Sequence, residues 1–206
     1  MVKSLTLEQA VPFLRLCCSL ITASIFILIC FLLKKKYNLL VSVCFFITFW
    51  LSPWIINFAQ NLYWVEFTWF VPMAVGLACS LKVDNRIWRI LSYVLSTVSI
   101  CIKCLCGYEY ISTIMVGLII FLIADLVVAV SQKDKKRFIL LFRTIFIMGL
   151  MALLGFIIAI IMHAGIKGDG NILLGIKHII QEDVMRRTSG ADLNQFDPVF
   201  WPSFNA

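Results

Sequence analysis

Residues 111–137 read ISTIMVGLIIFLIADLVVAVSQKDKKR, and this stretch decides the fold class. An apolar run with one ionisable side chain, Asp125, ends abruptly in Lys133, Lys135, Lys136 and Arg137. A hydrocarbon core of about 30 Å takes roughly 20 apolar residues in helix, so 111–130 has the length of one crossing. Working outward, runs of the same kind lie at 11–33, 39–58, 65–81, 87–105 and 138–162. The chain is 62% hydrophobic and 14% charged, far from the balance of a soluble domain. These runs are continuously apolar and lack the dyad alternation of barrel strands. Helix satisfies every backbone N–H and C=O within the segment, as lipid requires. The expected class is therefore all-α: a polytopic membrane protein with about six transmembrane helices in residues 1–162 and a tail in 163–206.

The charges between the runs fall on alternate loops. Lys34, Lys35 and Lys36 follow the first run; Lys82, Arg86 and Arg89 separate the third from the fourth; Lys133 to Arg137 separate the fifth from the sixth. The other two loops, 57–64 and 103–110, hold one basic residue, Lys103. Lys and Arg in short loops stay on the cytoplasmic side, so the basic loops are expected inside and the aromatic loops outside. Six crossings then put both termini, and the tail, on the extracytoplasmic face. The net charge of +7 becomes a topology signal, and no nucleic-acid partner is expected, because no basic run interleaved with aromatics lies on a soluble surface. The expected partner is the lipid bilayer. Both ends of the chain are abrupt, which leads us to expect an internal part of a longer polytopic protein.

Ionisable groups within the runs carry the most information, because burying them in lipid is costly. Asp125 is expected to pair with a base, most simply Arg143 in the sixth run; a proton or ion path is the functional alternative. Arg15 near the outer end of the first run can snorkel to the interface without any further role. The eight cysteines are scattered, and the Cys101, Cys104, Cys106 cluster has no fourth ligand with matching spacing, so no metal centre is expected.

The two aromatic loops hold the candidate site. The first joins the amides Asn57, Gln60 and Asn61 to Tyr63, Trp64, Trp69 and the acid Glu66; the second is Gly107, Tyr108, Glu109, Tyr110. Trp and Tyr anchor at headgroup depth, which is the plain reading of these rings. A carboxylate in that setting can also take a proton from an acceptor hydroxyl or hold a metal, and aromatic faces can stack on sugar rings. Glu66 and Glu109 are therefore the candidate catalytic acids. In the tail, glycines 165, 168 and 170 precede an expected amphipathic helix over 172–187, with Leu173, Ile176, Ile180 and Val184 on one face. Arg186 and Arg187 near its end are candidates for a phosphate or a lipid headgroup.

The runs NLYWVEFTWFVPM (61–73), CGYEYIST (106–113) and EDVMRRTSG (182–190) resemble those of uncharacterised bacterial polytopic proteins from surface-polysaccharide loci. Those proteins look like distant members of the GT-C superfamily, membrane glycosyltransferases that use polyprenyl-phosphate sugars. The resemblance implies residence in the bacterial inner membrane, chemistry on its outer face, a polyprenyl-linked sugar as donor, and in some cases a divalent metal. It also implies a catalytic acid in the first outer loop. No Asp stands in such a loop here, so this stretch by itself is expected to lack transfer activity. Three classes stay open: a lipid-linked-sugar glycosyltransferase or a piece of one, another glycan-assembly protein such as a polymerase or flippase, and a small transporter or membrane interaction protein.

Overall fold

The computed structural model describes residues 7–63 and 65–179. Among them the chain is all-helical: α1 (Leu7–Lys36), α2 (Leu39–Trp50), α3 (Pro53–Phe58), α4 (Phe67–Leu81), α5 (Arg86–Leu105), α6 (Ile111–Ser131), α7 (Lys135–Lys167) and α8 (Ile172–His178). Helices α1, α5, α6 and α7 are long and apolar enough to cross a membrane, while α2 and α4 are apolar but shorter. Their outward faces suit lipid: large side chains such as Ile27 (66% exposed), Phe142 and Phe146 point away from the protein, an arrangement water would penalise.

Two of the expected crossings thus take a different form. The run 39–58 breaks at Ser52-Pro53, because Pro53 lacks the N–H that would continue the ladder of α2 and instead begins α3 at its first turn. The run 65–81 is helical only from Phe67; at about 1.5 Å per residue its helix spans roughly 22 Å, short of the hydrocarbon core.

Turn chemistry sets the ends of these helices. Asn38 caps α2 by accepting from the Val41 N–H, and Asn85 caps α5 by accepting from the N–H groups of Ile87 and Trp88. Both satisfy donors that the helix itself leaves open. Three non-glycine residues in turns of the first unit have left-handed backbones: Val65 (φ 45°), Tyr110 (φ 58°) and Lys133 (φ 56°). For a β-branched residue such as Val65 this is costly and marks a turn held by its surroundings.

The chain divides into two compact units, residues 1–157 and 158–206. In the first, the short helix α4 packs against α1, α5 and α6. It does so through small residues. A Cβ on Gly76 would collide with the backbone carbonyl of Leu118 in α6, and Ala74, Cys79 and Ser80 are buried nearby. Small side chains let helix backbones approach closely, which is how helices gain packing where lipid offers no hydrophobic drive. Ile29 and Leu33 of α1 close the core over Ala74 and Leu77. Helix α7 meets α5 in the same way, at Gly155 against the Thr97 carbonyl, and the Thr97 hydroxyl donates to the Met151 carbonyl at 2.9 Å. In the second unit, α8 lies against Ala164 of α7 through Gly175, with Ile179 buried beside it and Leu173 turned outward. The remainder of the helix expected over 172–187 lies outside the described residues.

The alternation of loop charge becomes a separation in space. Arg137 at the start of α7 pairs with Asp84 in the α4–α5 turn, and Lys36 at the end of α1 pairs with Asp125 of α6. The Lys82 ammonium sits 4.3 Å from the Trp88 ring centre at the same end. At the other end, Phe58, Trp69 and Tyr110 meet in successive ring contacts, and Tyr108 meets Phe156 edge to face. The first unit therefore has a basic end and an aromatic end.

Candidate functional site

At the aromatic end the turn into α4 brings Glu66 to the cap position of that helix, where its side chain makes no capping bond. Glu66 is 2% exposed, and its Oε2 has no hydrogen-bond partner among the described residues. Burial pushes its carboxyl up to about 7. A carboxyl titrating there holds or releases a proton near neutral pH, which an ordinary surface glutamate does not.

Lys103, in the last turn of α5, is also buried, at 1% exposure. Its ammonium donates to the Gly107 carbonyl at 2.7 Å and lies 5.9 Å from the Trp69 ring centre. The charge of Glu109 acts on it, and the Glu109 carboxylate is folded back over Gly107, whose missing side chain and φ of +138° make that approach possible. Trp69, one turn into α4 from Glu66, contacts Tyr110 with ring centres 5.2 Å apart. Glu66 and Glu109 thus stand at the end of the unit where the Trp69 and Tyr110 rings meet. Arg186 and Arg187 lie outside the described residues.

Two cavities lie along α1 and the α2–α3 pair, lined by residues on either side of Phe58, whose ring contacts Trp69, and by none of the residues of this cluster. A groove of about 420 Å³ runs between α1 and the α2–α3 pair, lined by Phe26, Ile27, Phe49 and Trp50 and closed toward the aromatic end by Ala59 and Gln60. A polar pocket of about 430 Å³ adjoins it, lined by Arg15, Asn57, Gln60, Asn61, Leu62 and Tyr63. Gln60 belongs to both walls. The Ser52-Pro53 break builds this junction: it turns α3 back onto α1, where the Ser19 hydroxyl donates to the Ala59 carbonyl at 3.5 Å.

The expected intramembrane pair is corrected. Asp125 accepts from Lys36, whose ammonium lies 2.7 Å from both carboxylate oxygens, and not from Arg143. Arg143 instead lines a separate cleft with Arg86, Arg89 and Tyr93. Depth along each helix suggests Arg143, but α4 gathers α1 and α6 about itself, so the basic end of α1 supplies the partner. A paired, half-buried Asp125 reads as a structural ion pair.

Arg15 and Lys103 are the functional candidates that sequence reasoning passes over. A lone Arg near a helix end does not announce that α3 will return beside it, and the burial of Lys103 depends on Trp69 from another helix. A signal for Lys103 exists in Glu109, the acid that follows it in the same loop. Among the described residues no three His, Cys, Asp or Glu side chains gather into a metal-holding group, and all eight cysteines are free thiols. Compared with known proteins, the chain matches no family model, no curated protein and no solved structure.

Proposed function

We propose that this chain is a multi-pass membrane protein of cell-surface glycan assembly, of the glycosyltransferase type, whose substrate is a polyprenyl-linked sugar phosphate. The observation that carries this reading is the apolar groove opening through Gln60 into a pocket with an arginine and three amides. A substrate with a long branched hydrocarbon, a phosphate and a sugar has these three chemistries in this order. The isoprenoid fits the rings and aliphatic walls of the groove. Arg15 suits the phosphate because its planar fork donates two hydrogen bonds at once. Asn57, Gln60 and Asn61 can both donate to and accept from sugar hydroxyls, and Tyr63 offers a face for the ring.

In this reading the aromatic end faces outward and the basic loops face the cytoplasm of the inner membrane, with α2–α3 as a broken second crossing and α4 as a short third. Glu66, three residues along the chain from Tyr63 and outside the lining of both cavities, is the acid we assign to accept the acceptor's proton. Given the first-loop acid that the class requires, the acceptor oxygen would bond to the anomeric carbon, the bond from that carbon to the phosphate oxygen would break, and polyprenyl phosphate would leave with its electron pair. A carboxyl near 7 has the basicity for that transfer once deprotonated. Lys103 and Glu109 hold the Gly107 turn, and the Lys103 ammonium faces the Trp69 ring.

Binding is the direct test. Geranylgeranyl phosphate should raise the melting temperature of the purified chain in detergent, and geranylgeraniol, which lacks the phosphate, should raise it much less. Arg15→Gln should remove the difference between the two. Ala23→Phe, which fills the groove, should remove both effects. Equal stabilisation by alcohol and phosphate in the unaltered chain would defeat the proposal.

A further inference from the structure

We propose a second site, independent of the first: the cleft between α5 and α7 at the basic end binds a phosphate ester. The cleft has a volume of about 460 Å³ and is lined by Arg86, Arg89, Ile90 and Tyr93 from α5 and by Leu140, Arg143, Thr144 and Ile147 from α7. On α5, Arg86, Arg89 and Tyr93 follow at helical spacing, so one face presents two guanidiniums and a phenol. On α7, Arg143 stands eight residues beyond Lys135, about 12 Å along the helix and past the first apolar turn.

Among the described residues no carboxylate lines this cleft. The acids nearest to it along the chain are already used: Asp84 pairs with Arg137, and Asp134 accepts from the Arg137 backbone N–H. Asp125 is held by Lys36. Arg89 donates one N–H to the Val83 carbonyl, which fixes its direction and leaves its other donors available. Three guanidiniums facing one cleft repel each other, and bare lipid tails give them no counter-charge. Snorkelling alone would fan them apart toward water; here they line a common wall. A phosphate ester offers two or more charged oxygens to planar forks that bond them in pairs, and the Tyr93 hydroxyl adds a further donor. The apolar residues Ile90, Leu140 and Ile147 suit the glycerol and first methylenes of an anionic lipid, while a soluble phosphate ester would use the arginines alone. Basic clefts between membrane helices hold anionic headgroups by this chemistry.

The test titrates two probes into the purified full chain in neutral detergent and follows its melting temperature: dioleoylphosphatidylglycerol and glycerol 3-phosphate. Saturable stabilisation by the lipid alone, weakened about tenfold in apparent affinity by Arg143→Gln or Arg86→Gln, supports the site with a lipid as its source. The same arginine-dependent effect from glycerol 3-phosphate supports the site with a soluble ester as its source. Lys135→Gln, outside the cleft, should leave either effect unchanged. Should the Gln variants fail to fold, Arg143→Lys and Arg86→Lys decide: each keeps the charge but loses the fork, so affinity should still fall. No saturable effect from either probe, or one that the Lys variants and the folded Gln variants leave intact, overturns the proposal.

Discussion

The two ends of the first unit handle charge in opposite ways. At the basic end, acids and bases meet at the surface or partway in, as in Asp84 with Arg137 and Asp125 with Lys36. At the aromatic end, a carboxyl and an ammonium are buried almost completely, under rings, with the Glu66 Oε2 left unbonded among the described residues. Paired surface charge contributes little and tolerates change, whereas buried charge costs several kcal/mol unless something offsets it. An ionisable group kept at that cost belongs to a site more often than to a scaffold. The contrast therefore directs attention to the aromatic end for chemistry and to the basic end for orientation and lipid contact.

The comparison rests on α4, which holds the core between the two ends, so the largest effect should come from breaking it. Gly76→Leu puts a side chain into the Leu118 carbonyl and should cost about 3 kcal/mol or more, seen as loss of folded protein on size-exclusion in detergent. Asp125→Asn comes next. It leaves the Lys36 ammonium half-buried without its counter-charge and should cost about 2 kcal/mol, while Lys36→Met with Asp125→Leu should cost far less. Melting curves of the single and double variants check this. If the double variant is as unstable as the single, the pair is not what holds these helices.

Glu66→Gln sharpens the contrast at the other end. Because the folded carboxyl is raised to about 7, the unfolded chain releases its proton first as pH rises. The favourable state is thus complete below about 4.5 and is lost progressively as pH rises toward 7. The unaltered chain should lose on the order of 1–2 kcal/mol across that window relative to Glu66→Gln, measured as the difference between their melting temperatures at pH 5 and pH 8. A constant difference would mean that Glu66 is not held buried. The smallest effect belongs to Asp84→Asn, which breaks an exposed pair and should shift stability by no more than about 0.5 kcal/mol.

Much of this contrast is legible in the sequence, and the limits of that reading are physical. Loop charge alternates along the chain, so the basic and aromatic ends are visible in the order of the residues alone, and helix follows from the demands of the backbone in lipid. Hydropathy, however, measures composition over a window and not continuity. The window over 39–58 looks like a crossing although Pro53 ends one helix and starts another, and the one over 65–81 counts two residues that lie outside α4. Arg143 is the wrong partner for Asp125 because a sequence gives depth along each helix but not the direction in which a residue faces its neighbours. The same limit hides Arg15: only the return of α3 beside α1 turns a snorkelling cation into the wall of a pocket. Glu66 and Glu109 are visible as acids among rings, but the Lys103 ammonium behind them is not, since its burial is made by Trp69 from another helix.

The central claim is that these two ends face opposite sides of a membrane, the basic end inward and the aromatic end outward. Cysteine accessibility in intact cells tests it most directly, using a chain without its native cysteines and a membrane-impermeant maleimide. The Tyr63→Cys variant should be labelled in intact cells, and the Lys135→Cys variant only after permeabilisation. Labelling of the Lys135→Cys variant in intact cells, or protection of the Tyr63→Cys variant there, would contradict the account.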